Sequence, residues 1–195
     1  LHRLDRMLSS PILRSSLALP KQTLSFGRVF AERRVLLLDL SGIGLANARV
    51  LGSILLLLIR NATLSRPFEA PLHTVFVDEA SLFVSPTIAE MLDQARKYRV
   101  GVALAVQRLS QLEPESLRSA VTANVANLLS FRVLDRDDAV SLAKLFADSR
   151  LNADDLQGLG RFEAYGRVSM NGAVERPGWF RSAEPQPPRQ DAART

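Results

Sequence analysis

Two short runs, VLLLDL at 35–40 and TVFVDEA at 74–80, are apolar almost without interruption, and each carries an acidic residue near its end. A strand that alternates polar and apolar residues has one wet face. A strand apolar throughout must be covered on both faces, the condition of a parallel sheet packed between helices. VGVALAVQ at 100–107 and NLLSFRV at 127–133 have the same character. Between these runs apolar residues recur at helical spacing: Leu45, Ala48, Leu51, Leu55 and Leu58 within 45–60, Ile88, Met91, Leu92 and Ala95 within 86–99, and Ala139, Leu142, Ala143 and Phe146 within 137–147. Ser85-Pro86 and Asp135 are suited to start the second and third of these helices. Strands alternating with helices predict an α/β fold of βαβ units, a mostly parallel sheet flanked by helices.

Towards the C-terminus the pattern changes. RFEAYGRVSM and GAVERPGWF alternate on either side of Asn171-Gly172, which predicts a β-hairpin closing the sheet edge. From Ser182 onward Pro, Gln, Arg and Ala cannot build a core, so 182–195 is expected to be a disordered tail. Residues 1–20 read as a helical segment broken at Ser9-Ser10-Pro11, leaving 21–181 as the core. No signal peptide is visible. The most apolar stretch, Ile54–Ile59, is much shorter than the roughly 20 residues of a membrane span and is expected to be a buried helix. A chain that starts at Leu1 and not at methionine reads as a fragment.

With 195 residues there is room for one domain with a real core. Cysteine is absent and His2 and His73 are the only histidines, which removes disulfides, cysteine-held metals and histidine metal centres from consideration. The formal charge is +5, and apart from Lys21, Lys97 and Lys144 every basic residue is arginine. Arginine forks suit phosphates and carboxylates. The arginines are scattered, however, so genomic composition explains them as well as an anionic partner does.

The chemistry gathers at Val75-Phe76-Val77-Asp78-Glu79. The apolar residues would drive this strand into the sheet and deliver two carboxylates at its C-terminal end, where open α/β sheets bind ligands. In nucleotide hydrolysis such a pair divides its labour: Asp78 would hold Mg²⁺ through its water shell and Glu79 would polarise the attacking water. An acidic pair that merely ends a strand is the plainer reading. One strand–helix unit later Gln107 ends the next strand, which in a parallel sheet places a neutral amide beside the acids. Between them QARKYRVG (94–101) carries Arg96, Lys97 and Arg99, either a solvated helix face or a surface turned to a neighbouring subunit.

Three segments together, DLSGIGLANARVLGSILLLL, VFVDEASLFVSPTIAEMLDQARKYRVGVALAVQRLSQL and VTANVANLLSFRVLDRDDAVSLAKLF, resemble the HerA/FtsK superfamily of P-loop ATPases. Within it they are most similar to helicase-like and conjugative coupling-protein ATPases of type IV secretion and DNA transfer. The likeness spans about residues 3–175. It implies a partial RecA-like P-loop NTPase domain that binds ATP and Mg²⁺, assembles as a homo-oligomeric ring (a hexamer) and moves DNA, in the cytoplasm or at the inner face of the membrane, with secretion or DNA-processing proteins as further partners. Asp78 and Glu79 then match the Walker B pair and Gln107 the sensor glutamine. Arg96 matches the arginine that reaches into the next subunit's nucleotide. Arg132 also matches a family position, either contacting nucleotide across the interface or pairing with a structural acid such as Asp138. Asn124 is expected to be structural. Arg108 and Gln111 belong either to a pore-facing loop or to an ordinary polar turn.

One element of that family is missing. No GxxxxGK[ST] occurs, and none of the three lysines follows a glycine. SGIGLAN at 41–47 lacks the lysine and reads as a structural turn. Either the phosphate loop lies upstream in a longer chain, or this is a non-hydrolysing module that docks on an ATPase or on DNA. A third reading, a different α/β enzyme using Asp78 and Glu79 for metal-assisted hydrolysis, would leave Gln107 and Arg96 far from the acids.

Overall fold

The computed structural model describes residues 10–17, 24–83, 85–170 and 173–184. Contacts divide the chain into two compact units, Leu1–Asn124 and Val125–Thr195. The expected helix before Ser9 and the expected tail beyond 184 lie outside the described residues.

The first unit is built on a parallel pair, β1 (His73–Val77) and β2 (Val100–Leu104), in register from His73 opposite Val100 to Val77 opposite Leu104. The connection is α4 (Pro86–Gln94), which starts at Ser85 with Pro86 in its first turn, followed by the 3-10 turn Ala95–Tyr98. As the spacing predicts, Ile88, Met91 and Ala95 are buried. Three further helices complete the unit besides the short α1 (Pro11–Leu17): α2 (Phe26–Ala31), capped by the Ser25 hydroxyl, α3 (Leu45–Leu64) and α5 (Glu115–Asn124). Phe26, Phe30, Ile59 and Met91 form a cluster against which Val75 and Val102 pack, so the helices cover the face of the pair that those two valines present. Successive strand residues point to opposite faces. Phe76 therefore belongs to the other face, where it is 81% exposed.

Two expectations need correction here. VLLLDL is not a strand: residues 35–40 have no ladder partner among the described residues. Val35 and Leu37 are 99% and 88% exposed, and Leu36 and Leu38 are 38% and 37% exposed. The period-two alternation remains, but a strand exists only through hydrogen bonds to a neighbour, and the described residues supply none. Second, α3 buries Ala48, Gly52, Leu56, Ile59 and Thr63, so the buried stripe is turned from the predicted face: of that face Ala48 is buried, Leu51 and Leu55 are half-buried, and Leu45 and Leu58 are exposed. The small residues decide this. A Cβ on Gly52 would stand 2.3 Å from Cε1 of Phe83, so the helix approaches its neighbours where side chains are short. The expectation of a buried helix holds for that stripe alone. By length and composition α3 is apolar enough to cross a membrane, with a mean hydropathy of 1.3. One such helix is weak evidence for a span, and α3 packs on α2 and α4.

The second unit is a three-stranded antiparallel sheet, β3 (Leu128–Ser130), β4 (Glu163–Arg167) and β7 (Gly178–Arg181), with α6 (Arg136–Phe146) and α7 (Ala153–Gln157). Asp135 caps α6 as predicted, accepting from the Asp137 and Asp138 N–H groups. Ala139 and Phe146 are buried on the predicted face. β5 (Ser169–Met170) and β6 (Ala173–Val174) pair antiparallel around the Asn171-Gly172 position, the expected hairpin, whose two turn residues lie outside the described set. The pair is a two-stranded sheet of its own, separate from β1–β2 and from β3–β4–β7, whereas the sequence predicts a hairpin closing the sheet edge. The run 127–133 departs from expectation: only three residues form a strand, and they pair antiparallel with β4. Parallel pairing among the described residues is confined to β1 and β2.

Candidate nucleotide-hydrolysis site

At the C-terminal end of β1 the chain turns sharply. Glu79 has φ 49° and ψ 43°, the left-handed region that non-glycine residues seldom occupy and that clusters at functional turns. Ala80 then begins a 3-10 turn and is fully buried. The two strand ends are joined beyond the ladder: the Ala105 N–H donates to the Val77 carbonyl at 3.0 Å, and the Ala80 N–H donates to the Ala105 carbonyl at 2.8 Å. Those backbone bonds hold the loop after β2 against the acidic turn. The sequence carries no signal for Ala105, because its part is played by main-chain atoms.

The arrangement brings Glu79 and Gln107 together. Gln107 Nε2 donates to Glu79 Oε2 at 2.8 Å, linking residues 28 apart. Asp78 Oδ1 accepts from the Glu79 N–H at 2.9 Å. Asp78 and Gln107 are exposed and Glu79 is half-buried, so the remaining carboxylate oxygens open to solvent. Among the described residues no cation pairs with Asp78, and its outward carboxylate oxygen would suit a metal ion held through water. No group of three or more acidic, histidine or cysteine side chains that could enclose a metal occurs among the described residues. The chain supplies no glycine–lysine phosphate cradle to stand opposite these acids.

Arg96 is not part of this cluster. It sits on the turn Ala95–Tyr98, which precedes β2, and the next residue but two, Arg99, accepts the His73 N–H at the start of β1. The turn is thus at the N-terminal end of the parallel pair. Five strand residues, about 16 Å at 3.3 Å each, separate it from the acids of its own chain. The Arg96 side chain is exposed. Arg132 is exposed too, on the segment after β3 in the second unit. Asn124 ends α5, with its amide donating to the Ala120 carbonyl, a structural contact. Gln111 accepts the Arg108 N–H across the 3-10 turn Leu109–Gln111, which makes this segment a capped polar turn. In SGIGLAN, Gly42 and Gly44 take φ of 75° and 83°, which only glycine adopts freely, and lead into α3. A cavity of about 410 Å³, lined by Phe30, Ala62, Arg66 and Pro71 among others, lies away from the acids.

No protein-family model matches the chain, and no curated protein is similar to it in sequence. Solved structures do match. The unbound bacterial conjugative coupling protein TrwB superposes with a TM-score of 0.71 at 17% identity, over 86% of this chain and 45% of that one. TrwB in complex with ADP and Mg²⁺ gives 0.70 at 17% identity, over 92% and 47%. The genome packaging NTPase B204 of Sulfolobus turreted icosahedral virus 2, in complex with ATP-gammaS, gives 0.51 at 14% identity, over 89% and 88%. The chain spans about half the length of the TrwB structures it matches. What these likenesses establish is the architecture: the chain has the α/β fold of the TrwB structures, the fold class that its sequence resemblance implied.

Proposed function

We propose that this chain is the C-terminal part of an ATP-driven DNA translocase, working as a cytoplasmic homo-oligomeric ring. The observation that carries this reading is the 2.8 Å bond from Gln107 to Glu79 across the ends of two adjacent parallel strands. A glutamine amide orients a carboxylate without adding a charge that would compete for the nucleotide. Glu79 then acts as the base that polarises water, and its left-handed backbone aims it off the strand axis towards Gln107. Asp78 would hold Mg²⁺ through water, and the ion, when bound, neutralises charge on the phosphates. Arg96, exposed and remote from its own acids, is suited to serve a nucleotide held by a neighbouring subunit, where an arginine can raise the rate by several orders of magnitude. Arg132 is the second candidate for such a contact. DNA is the proposed cargo, held through its phosphates without sequence reading. The likeness to TrwB, a bacterial conjugative coupling protein, supports this reading.

The main competitor is a non-hydrolysing relative that docks on an ATPase or on DNA; the absence of a phosphate loop from these residues is what favours it. The full-length protein separates the two. On the translocase reading it hydrolyses ATP with a rate that rises when DNA is added. Nucleotide-independent DNA binding with no hydrolysis at any DNA concentration would establish the docking module instead.

A further inference from the structure

Arg66, which follows α3, is 8% exposed. It has no carboxylate partner among the described residues. Its guanidinium instead spans two carbonyls, Nη2 donating to Pro71 at 2.5 Å and Nη1 to Arg99 at 3.3 Å, and lies over the Phe30 ring at 5.0 Å. Burying a cation without an anion is costly, so a purely local role for it is poorly motivated. What it holds is informative. The Arg99 carbonyl also accepts the His73 N–H at 3.0 Å, and Arg99 itself has φ 56°, a strained left-handed conformation that closes the turn through its N–H to the Arg96 carbonyl at 3.0 Å. A second clamp acts on the same turn. Phe68 is 66% exposed yet stacks on Tyr98, with ring centroids 5.3 Å apart and planes 23° from parallel. Thus the 66–72 segment grips the four-residue turn that carries Arg96 at two points, one polar and one aromatic.

We infer that Arg66 is a positioning residue: with Phe68 it fixes the Ala95–Tyr98 turn in the orientation from which Arg96 serves the neighbouring subunit. This rests on the trans-acting role proposed for Arg96. An arginine finger contributes only if its guanidinium arrives with little freedom left to lose, because a small misplacement forfeits much of the rate. The guanidinium reaches the two carbonyls from two separate nitrogens held in one plane, whereas an ammonium carries its three donors on a single nitrogen and does not reproduce that fixed span.

The test uses the full-length ring with Arg66→Lys, which keeps the charge but loses the bridge, and Phe68→Ala, whose exposed side chain makes misfolding a minor concern. Each variant alone should lose about tenfold or more in kcat for ATP with KM little changed, the signature of an interaction made in the transition state. Mixed with Glu79→Gln subunits, which are dead at their own site but present an intact Arg96 turn, each should recover turnover above the sum of its parents. Amide exchange at Arg99 should quicken in both variants while that of Ala80 and Ala105 stays slow. Arg96→Ala mixed with Glu79→Gln is the control. If that control recovers and the Arg66 and Phe68 mixtures do not, the clamp idea is overturned while the trans arginine stands. Without recovery in the control, the trans role fails and the clamp with it. Unchanged kcat or unchanged Arg99 exchange in both variants also refutes the clamp.

Discussion

Asp148 and the Asp78-Glu79 pair each lie just past the end of a regular element, and their oxygens have opposite fates. Asp148, just after α6 in the second unit, is saturated. It accepts the Tyr165 hydroxyl at 2.6 Å, Arg150 Nε at 2.9 Å and Nη2 at 2.5 Å, and the Arg150 N–H at 3.0 Å. The hydrogen bonds from Arg150, and then that from Tyr165, hold its carboxyl well below the usual range. Burial, and then the bond to Asp148, pushes the Tyr165 phenol up to about 12. Tyr165 is itself wedged edge-on between Phe146, at 5.0 Å, and Trp179, at 4.7 Å. The turn after β1 in the first unit is the reverse: Asp78 accepts one N–H, Glu79 accepts one amide, and both leave oxygens for something outside the chain. A carboxylate whose lone pairs are all spoken for fastens a fold. One held by a single orienting bond is free to bind or to take a proton.

The comparison can be broken by substitution. The largest stability effect should come from the saturated corner. Phe146 is 1% exposed under Tyr165, and Phe146→Ala should cost about 3–5 kcal/mol, measured by urea unfolding through Trp179, the single tryptophan of the chain. A loss below about 1 kcal/mol would mean that this corner is not a core.

A smaller, pH-dependent effect has a definite sign. Asp148 is depressed from 3.8, so its contribution is present above about pH 4 and fades as the pH falls through the lower folded value. Tyr165 is raised from 10.0 to about 12, so its contribution is complete below about pH 10 and is lost as the pH climbs through 12. Unfolding midpoints of the second unit, followed by Trp179, should therefore sag on both flanks. Tyr165→Phe should remove the alkaline limb; an unaltered limb would show that another group produces it.

Much of this architecture is legible in the sequence because it depends on neighbours close along the chain. The apolar spacing of Ile88, Met91 and Ala95, the Asp135 cap and the Asn171-Gly172 hairpin are local signals, and so is the run that becomes β1. The meeting of Gln107 and Glu79 is legible for a related reason: adjacent parallel strands joined by one helix bring their C-terminal ends together. What escapes depends on partners far away in sequence or on absence of bulk. VLLLDL has the composition of a buried strand but finds no strand to pair with among the described residues. The buried face of α3 runs through Gly52 and Thr63, which a search for large apolar residues passes over. Arg66 is one arginine among many until its two carbonyls, at Pro71 and Arg99, are seen side by side. Asp148 and Tyr165 are 17 residues apart with no pattern to join them.

The central claim is that Glu79, held open by Gln107, is the base of an ATPase site. Glu79→Gln in the full-length protein tests it most directly, because the side chain keeps its size and the amide oxygen can still accept the Gln107 bond, so the fold is left intact. The prediction is that ATP turnover falls by about 100-fold or more while nucleotide binding and the unfolding midpoint stay as they were. Turnover that persists at the parent rate in a variant that still binds ATP would contradict the account.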